Sequence, residues 1–300
     1  MEENKERDQL GTMIRRSMAK VREFFKVIFD GMSESHVRLD DVCFNSISDE
    51  DNALLFEVVS DEKVKDIVWS CDSSKSPGLD GFNFSFIKFC WECLKDDFIS
   101  AVKDFLVNEK WPTGSNVSFT CQIPKTNNPQ QLRDFGPISL VGCVYKIISK
   151  ILAIRLKKMI NKVIDARQSS FLEGSGLMDG VLVANEVLDE MKRKKKSCVF
   201  FKVDYEKAND FVMRDFIYYM LGRFGFCEKW ISWIKACFES ALVSVLINGI
   251  PSKEFIPKKG LRQWDPLAPF LFLIVIEGLV GVSRTAIEKE LVESLEIDKN

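Results

Sequence analysis

The residue with the clearest chemical potential is Asp204, which directly follows a short apolar run at residues 198–203. That run is rich in β-branched and aromatic residues, a composition typical of a buried strand. A carboxylate at the end of a rigid strand is well placed to bind a divalent cation, because hard cations prefer oxygen ligands. The competing interpretation is a structural ion pair between Asp204 and either Lys202 or Lys207.

Four sequence blocks in a fixed order carry the rest of the candidate chemistry. They read Lys-Ser-Pro-Gly-Leu-Asp-Gly-Phe at 75–82, Ile-Pro-Lys with Gly-Pro-Ile-Ser-Leu within 123–140, Phe-Lys-Val-Asp-Tyr-Glu-Lys-Ala-Asn-Asp at 201–210 and Gly-Leu-Arg-Gln-Trp-Asp-Pro-Leu-Ala-Pro at 260–269. In this order the blocks resemble the reverse transcriptases of non-LTR (LINE-type) retrotransposons, most closely those of plants. The connecting text at 142–146 and 166–169 extends the resemblance, which runs from about residue 20 to about residue 290.

The resemblance implies an RNA-directed DNA polymerase, a nucleotidyltransferase that works on an RNA template and a DNA primer. It implies no small-molecule ligand beyond the deoxynucleotide. In the family, the block matched by 201–210 supplies the first metal-binding carboxylate. Asp204 is therefore implied to be catalytic and to bind Mg²⁺, with the backbone carbonyl of Tyr205 as its companion.

The other blocks supply nucleotide- and template-binding residues by the same resemblance. Lys125 is implied to contact phosphates, and Arg262 and Gln263 to lie along the template and the incoming nucleotide. The remaining carried-over residues are Lys75, Gly78, Asp80 and Asn209. Structural alternatives stay open, because Gly78 and Asp80 could simply form a turn and Arg262 could pair with Asp265.

Three positions depart from the family pattern at functional sites. Asn209 stands where the family has Tyr or Phe, the ring that blocks a ribose 2′-hydroxyl, so we expect looser sugar discrimination. Gly136 stands where the family has an arginine that helps to hold the nucleotide, and glycine supplies no charge. Trp264 replaces a glycine that lets the backbone approach template and nucleotide closely, so we expect the indole to clash there.

The second metal-binding element of the family, an Asp-Asp pair at a later hairpin, has no counterpart in the sequence. The pairs at 40–41 and 96–97 lie far upstream and lack its apolar flanks, so solvated surface explains them. Because one carboxylate cannot hold two hard dications, the sequence predicts a catalytically incomplete fragment, truncated before that pair. The alternatives are a non-catalytic nucleic-acid-binding remnant and a pseudogene product without function.

Charge is distributed unevenly along the chain, although the formal net charge is only −2. Residues 31–100 hold 15 acidic and 6 basic side chains, whereas residues 141–200 hold 12 basic and 6 acidic ones. A net charge near zero is not the global pattern of a nucleic-acid-binding protein, but a local basic surface is compatible with phosphate contacts. A solvated helix face explains these charges equally well.

Nine scattered cysteines and a charged first segment predict an intracellular protein, in the nucleus or the cytoplasm, that is not secreted. Cys90 and Cys93 lack a second pair, so we expect both on the core-facing side of one helix rather than on a metal. The basic run at 192–196 is either a nuclear localisation signal or a solvated loop. The apolar stretch at 267–282 is interrupted by Glu277, and we expect no membrane span.

Hydrophobic periodicity predicts an α+β fold with helices packed on a small antiparallel sheet. By resemblance this is a right-hand polymerase-like arrangement, with an N-terminal helical and irregular extension (1–60), a fingers-like region (61–196) and a partial palm (197–300). The predicted helices are 10–31, 60–71, 84–107, 144–163, 178–194, 211–224, 228–238 and 266–288. The predicted strands are 117–123, 198–203, 241–247 and 254–256, the last two joined by a tight Asn248-Gly249 turn.

Overall fold

The computed structural model of the chain describes residues 2–30, 37–165, 168, 177–195, 203, 205 and 208–292. Helices predominate in this part of the chain. In chain order they are α1 (Glu2–Phe29), α2 (Asp49–Leu55), α3 (Asp61–Trp69), α4 (Phe84–Phe89), α5 (Trp91–Asn108), α6 (Cys143–Val163), α7 (Leu177–Lys194), α8 (Ala208–Phe211), α9 (Arg214–Arg223), α10 (Glu228–Glu239) and α11 (Ala268–Glu288). The predicted strand at 198–203 lies outside the described residues except for Val203.

The sheet of the described residues has four strands in the order β2-β1-β3-β4. They are β1 (Val117–Pro124), β2 (Phe135–Val141), β3 (Leu242–Ile247) and β4 (Ile250–Pro251). β1–β2 and β3–β4 are antiparallel pairs, but β1 and β3 run parallel. The prediction of an antiparallel sheet is therefore wrong at its centre, and the sheet is mixed. Parallel neighbours need a long crossover, here through the helices α6 to α10, and short-range turn signals do not reveal it.

Local signals place β1 and β3 well, but the predicted strand at 254–256 is reduced to an isolated bridge between Phe255 and Val243, and β4 is Ile250–Pro251. β1 confirms the predicted strand at 117–123, and the turn after β3 has the positive φ angles of a tight hairpin at Asn248 (50°) and Gly249 (79°). β2 is not predicted by periodicity, because it contains Pro137. The structure places β2 at the edge of the sheet, where a residue without an N–H is tolerated.

Two apolar clusters hold the described elements together. The larger one surrounds α6, whose Ile147 and Leu152 are fully buried, and it extends from α2 to α11. The smaller one fastens α1 to β3, because Phe25 packs with Val245 and Phe255. The site described below contacts both clusters, since Leu261 belongs to the larger one and Phe29 packs against the smaller one.

The helices α2, α4 and α5 differ from the sequence prediction. Ser48 and Asp51 form a capping box, each side chain bonding the other's backbone N–H, and this starts the unpredicted helix α2. The predicted helix 84–107 is divided at Cys90 into α4 and α5. Cys90 is half-buried and Cys93 is exposed, so the expectation that both face the core is wrong.

The helix α11 is the one described helix that is long and apolar enough to cross a membrane by length and composition. In the structure it packs against α9 and α6, with Leu271 and Ile274 fully buried. Glu277 on this helix is buried and accepts hydrogen bonds from Arg284 (3.1 Å) and from the backbone N–H of Asp165 (3.1 Å). Burial raises the pKa of Glu277, and these partners oppose that rise.

Candidate functional site

The blocks at 201–210 and 260–269 come together at the candidate site. The backbone N–H of Leu261 donates to the carbonyl of Asn209 at 2.7 Å. Gly260 has a φ of 83°, and a Cβ there would lie 2.9 Å from the Asp210 carbonyl, so glycine permits this approach. The side chain of Gln263 then donates from Nε2 to Asp210 Oδ1 at 3.3 Å. The structure thus brings two predicted site residues, Asn209 and Gln263, to one place.

Arg262 points into the protein rather than toward a template. It is only 6% exposed, and its Cζ lies 4.2 Å from the ring centroid of Tyr145. Its Nη2 donates to Asn116 Oδ1 at 2.7 Å, while the Tyr145 hydroxyl donates to Asp265. The direct Arg262–Asp265 pair that the sequence left open is replaced by a cluster with Tyr145 in the middle. A template contact through Arg262 remains a prediction and requires this loop to rearrange.

Burial is the largest influence on the pKa values of Asp265 and Tyr145 in this cluster. It raises the pKa of Asp265, whereas the hydrogen bonds from Tyr145 and the Leu267 N–H, and the charge of Arg262, lower it. Burial also raises the pKa of Tyr145 well above its ordinary value, and the Asp265 charge adds to the rise. Tyr145 is therefore a neutral hydrogen-bond donor at ordinary pH, and Arg262 is the cation that offsets an ionised Asp265.

A second buried arginine, Arg214, holds the loop that leads into the last block. Its guanidinium donates to the backbone carbonyls of Pro257 (2.6 Å), Phe238 (2.9 Å) and Gly260 (3.2 Å). Burial lowers the pKa of Arg214 to about 10, so the group stays charged at neutral pH. Sequence reasoning passes over Arg214 and Asn116, because their roles depend on partners that are distant along the chain.

Lys125 reaches the same site from the end of β1. The side chain is exposed, and a Cβ at Gly136 of β2 would lie 3.2 Å from Lys125 Cε, so glycine leaves room for the lysine. A small cavity is lined by Lys125, by Asp210 and by Phe29 of α1. Lys125, the predicted phosphate-binding residue, therefore faces the joined blocks, and the end of α1 lies beside it.

The block at 75–82 is fastened to the start of α6. A Cβ on Gly78 would lie 2.3 Å from a backbone carbon of β2, so the two backbones touch there. Asp80 accepts a 2.6 Å hydrogen bond from the Cys143 N–H in the first turn of α6, where the helix dipole favours a carboxylate. Lys75 is exposed on the same loop. The structural alternative for Gly78 and Asp80 is thus observed, and their implied template role stays a prediction.

Asp204, the predicted catalytic and metal-binding carboxylate, lies outside the described residues, so its geometry stays a prediction. Tyr205 is half-exposed, and its ring packs edge-on against Phe272 of α11 with the centroids 6.1 Å apart. Within the described ranges, no group of three or more His, Cys, Asp or Glu side chains could hold a metal ion. The nearby Asp210 and Asp265 are already hydrogen-bonded to protein groups, so the described side chains do not by themselves fit a metal ion.

Four basic side chains of α6, part of the basic surface predicted from the sequence, have structural partners. Their contacts are Arg155 to the Leu55 carbonyl (2.8 Å), Lys162 to the Asp51 carboxylate, Lys146 to the Ser76 carbonyl (3.2 Å) and Lys150 to the Ser70 carbonyl (2.7 Å). These cations fasten the segment around α2 and α3 onto α6. A binding surface along this helix therefore has fewer available charges than the sequence alone indicates.

Trp264 shows what happens when a bulky residue replaces the glycine of the family pattern. Its φ is 68°, in the left-handed region that favours glycine. The turn is closed by the Asp265 N–H, which donates to the Arg262 carbonyl at 3.3 Å. The indole is 73% exposed, so it does not clash with the rest of the chain and lies in solvent beside Gln263.

Comparison with known proteins identifies the class. Residues 123–293 match the sequence model of the reverse transcriptase (RNA-dependent DNA polymerase) family, which is more than half of the chain. The chain belongs to this family, whose members use divalent metal ions and act on an RNA template and a DNA primer. The matched region contains the joined blocks, the end of β1 from Ile123 onward, β2, and the whole of α11.

The relatives narrow the class to non-LTR retrotransposons of the R2 and TX1 kind. The chain is 29% identical over 211 residues to the transposon TX1 uncharacterized 149 kDa protein of Xenopus laevis, covering 70% of this chain and 16% of that protein. It is 30% identical over 207 residues to the Pol polyprotein of the type-2 retrotransposable element R2DM of Drosophila melanogaster, covering 69% and 19%. An uncharacterized mitochondrial protein of Arabidopsis thaliana is 40% identical over 55 residues, 18% of this chain and 45% of that protein. The chain spans less than a fifth of the first two relatives.

Proposed function

We propose that this chain binds RNA and primed RNA as part of a LINE-type reverse transcriptase, but does not extend a primer by itself. The observation that carries the proposal is the junction of the two blocks, which places Asn209, Gln263 and Lys125 at one site. The sequence offers one implied metal-binding carboxylate, Asp204, with the Tyr205 carbonyl. That set is too small for two Mg²⁺ ions.

The proposal includes the finer architecture. Residues 61–196 are assigned to fingers and residues 197–300 to a partial palm, after an N-terminal extension at 1–60. In this assignment the parallel pairing of β1 with β3 joins fingers to palm. A plant-type element is supported by the 40% identity to the Arabidopsis protein over 55 residues. An intracellular location, in the nucleus or cytoplasm, completes the proposal.

A primer-extension assay tests the proposal that the chain does not extend a primer by itself. The purified chain is expected to give no template-dependent product on a primed RNA, with either Mg²⁺ or Mn²⁺. The Asp204→Ala variant, prepared in parallel, measures any contaminating polymerase. Extension by the wild type that disappears in Asp204→Ala would contradict the proposal, because another carboxylate must then complete the metal site.

A binding assay with labelled RNA tests the proposal that the chain binds RNA. We expect weak affinity that falls steeply with salt, because phosphate contacts release counterions. Lys125→Gln is expected to weaken binding and reduce the salt slope by about one. Lys95→Gln is the matched control, since Lys95 is paired with Glu92 on α5. Salt-independent affinity, or equal effects of the two variants, would contradict the assignment of Lys125.

The pseudogene alternative is favoured by one observation, the departures at Gly136, Asn209 and Trp264. It differs from the proposal in a measurable way, because a product without function need not bind RNA at all. A folded chain with no measurable affinity for single-stranded or primed RNA at low salt would support it.

A further inference from the structure

Two exposed aromatic rings border the junction of the blocks. Trp264 is 73% exposed and Phe211 is 49% exposed, large fractions for side chains of this size. Phe211 follows Asn209 by two residues and Trp264 follows Leu261 by three, and the Asn209–Leu261 backbone hydrogen bond (2.7 Å) ties the two segments together. Neither ring belongs to the two apolar clusters, so each is partly open to solvent beside the junction of the blocks.

The backbone conformation of Trp264 sharpens this observation. A φ of 68° is unfavourable for a side chain with a Cβ, and burial of the ring does not compensate for it. Strained residues of this kind cluster at binding sites. By family resemblance a glycine stands at this position, so the ring is a feature of this chain.

The charges beside Phe211 favour a polyanionic ligand. Lys259 Nζ lies 4.8 Å from the ring centroid of Phe211. Lys258 Nζ lies 2.7 Å from Asp30 Oδ1, and the pKa of Asp30 is lowered by Lys258 first and also by Lys26 and Lys259. Three lysines therefore share one carboxylate at this end of α1, which leaves an excess of positive charge.

We propose that Trp264 and Phe211 stack on the bases of single-stranded nucleic acid, while Lys259 contacts its phosphates. Stacking on aromatic rings beside cations is how proteins hold unpaired strands, since every base offers a flat face and every linkage a negative charge. A paired duplex hides its base faces, so it fits this surface less well. The inference rests on the proposed function and adds to it the residues that hold the unpaired strand.

Ring removal is tested by fluorescence anisotropy with a short labelled oligouridine RNA. Trp264→Asn removes the ring and keeps a residue that tolerates positive φ, whereas Trp264→Phe keeps an aromatic face. The same comparison is made with Phe211→Leu and Phe211→Tyr. Phe89→Leu is the matched control, because Phe89 on α4 is 89% exposed and far from these segments in sequence.

Trp264→Asn and Phe211→Leu are each expected to weaken binding about 10-fold, and the aromatic replacements and the Phe89 control less than about 3-fold. Bound RNA is also expected to quench tryptophan fluorescence of the wild type, an effect that is lost in Trp264→Phe. Urea unfolding verifies that each variant folds. If Trp264→Asn is unstable, the quenching comparison decides alone.

The outcomes separate this inference from the proposed function. A wild type that binds no RNA contradicts the proposed function itself. RNA binding that is unchanged in Trp264→Asn and Phe211→Leu, or equally weakened by the aromatic replacements, overturns only the stacking surface. Equal affinity for a fully paired RNA hairpin also overturns it.

Discussion

Replacing Tyr145 by phenylalanine removes a single hydroxyl from the buried cluster behind the candidate site. That hydroxyl donates to Asp265, which is 3% exposed. Asp265 keeps a 2.9 Å hydrogen bond from the Leu267 N–H and the nearby charge of Arg262. A net hydrogen bond to a charged group contributes about 1.5–3 kcal/mol, so we expect Tyr145→Phe to lower the free energy of unfolding by about 2 kcal/mol at a pH high enough to ionise Asp265.

The loss should depend on pH, with a defined sign. Burial raises the pKa of Asp265 above its unfolded value, and the Tyr145 hydrogen bond opposes that rise. Removing the hydroxyl raises the folded pKa further and leaves the unfolded pKa unchanged. The folded state then binds the proton more tightly, so its stability falls as pH rises through the interval between the two pKa values. The deficit of Tyr145→Phe is therefore smaller at an acidic pH, where Asp265 is protonated in the folded chain, than at an alkaline pH, where it is ionised.

The measurement is urea unfolding at both pH values, with Tyr218→Phe as the matched control. Among the described residues, the buried hydroxyl of Tyr218 has no hydrogen-bond partner. Its removal should change the free energy of unfolding by less than about 0.5 kcal/mol, or raise it. In an Asp265→Asn background, the effect of Tyr145→Phe should shrink by at least about 1 kcal/mol, because the charged acceptor is gone.

Two results would refute this reasoning. Equal losses in Tyr145→Phe and Tyr218→Phe would mean that the hydrogen bond to Asp265 contributes nothing beyond ring packing. A deficit that is the same at both pH values would mean that the Tyr145 hydroxyl does not change the pKa of Asp265 in the folded chain.

Three further outcomes follow from local geometry. Trp264→Gly should raise the free energy of unfolding, measured in urea, by about 0.5–1 kcal/mol. Relief of the strain at the positive φ angle exceeds the entropy that glycine adds to the unfolded chain, and a variant less stable than the wild type would contradict this. Gly78→Ala should lower the free energy of unfolding by about 1–3 kcal/mol, because the new Cβ would meet the β2 backbone at 2.3 Å. Gly222→Ala on α9, where no atom lies within 4 Å of the new Cβ, should be neutral or stabilising, and similar effects of the two variants would contradict the argument. Lys162→Gln should destabilise the folded chain at neutral pH, because Lys162 lowers the pKa of Asp51 and that stabilisation is present above the unfolded pKa of the carboxyl group. The difference in stability from the wild type should shrink as the pH falls and Asp51 becomes protonated. A difference that persists at low pH would show that the ion pair is not its cause.

Short-range sequence signals predicted several elements because their causes are local. Ser60 accepts a hydrogen bond from the Lys63 N–H at the start of α3, and the Asn248-Gly249 turn joins β3 to β4. The parallel pairing of β1 with β3 was not predictable in this way, because it joins residues more than a hundred positions apart. The periodicity of a strand indicates which face is buried but not which neighbour it pairs with.

The identity and order of the reactive blocks are properties of the sequence alone, and they were enough to indicate the reverse transcriptase family and the candidate residues. Side-chain environment is different, because burial is set by neighbours that only folding brings near. Folding turns Arg262 inward onto Tyr145, packs Gly78 against the end of β2 and ties Asp80 to the start of α6. It also pairs four cations of α6 with carbonyls and a carboxylate. Folding also leaves the Trp264 side chain in solvent at a positive φ angle. This exposure is set by the conformation of the turn in the folded chain, and the residue type alone would not predict it.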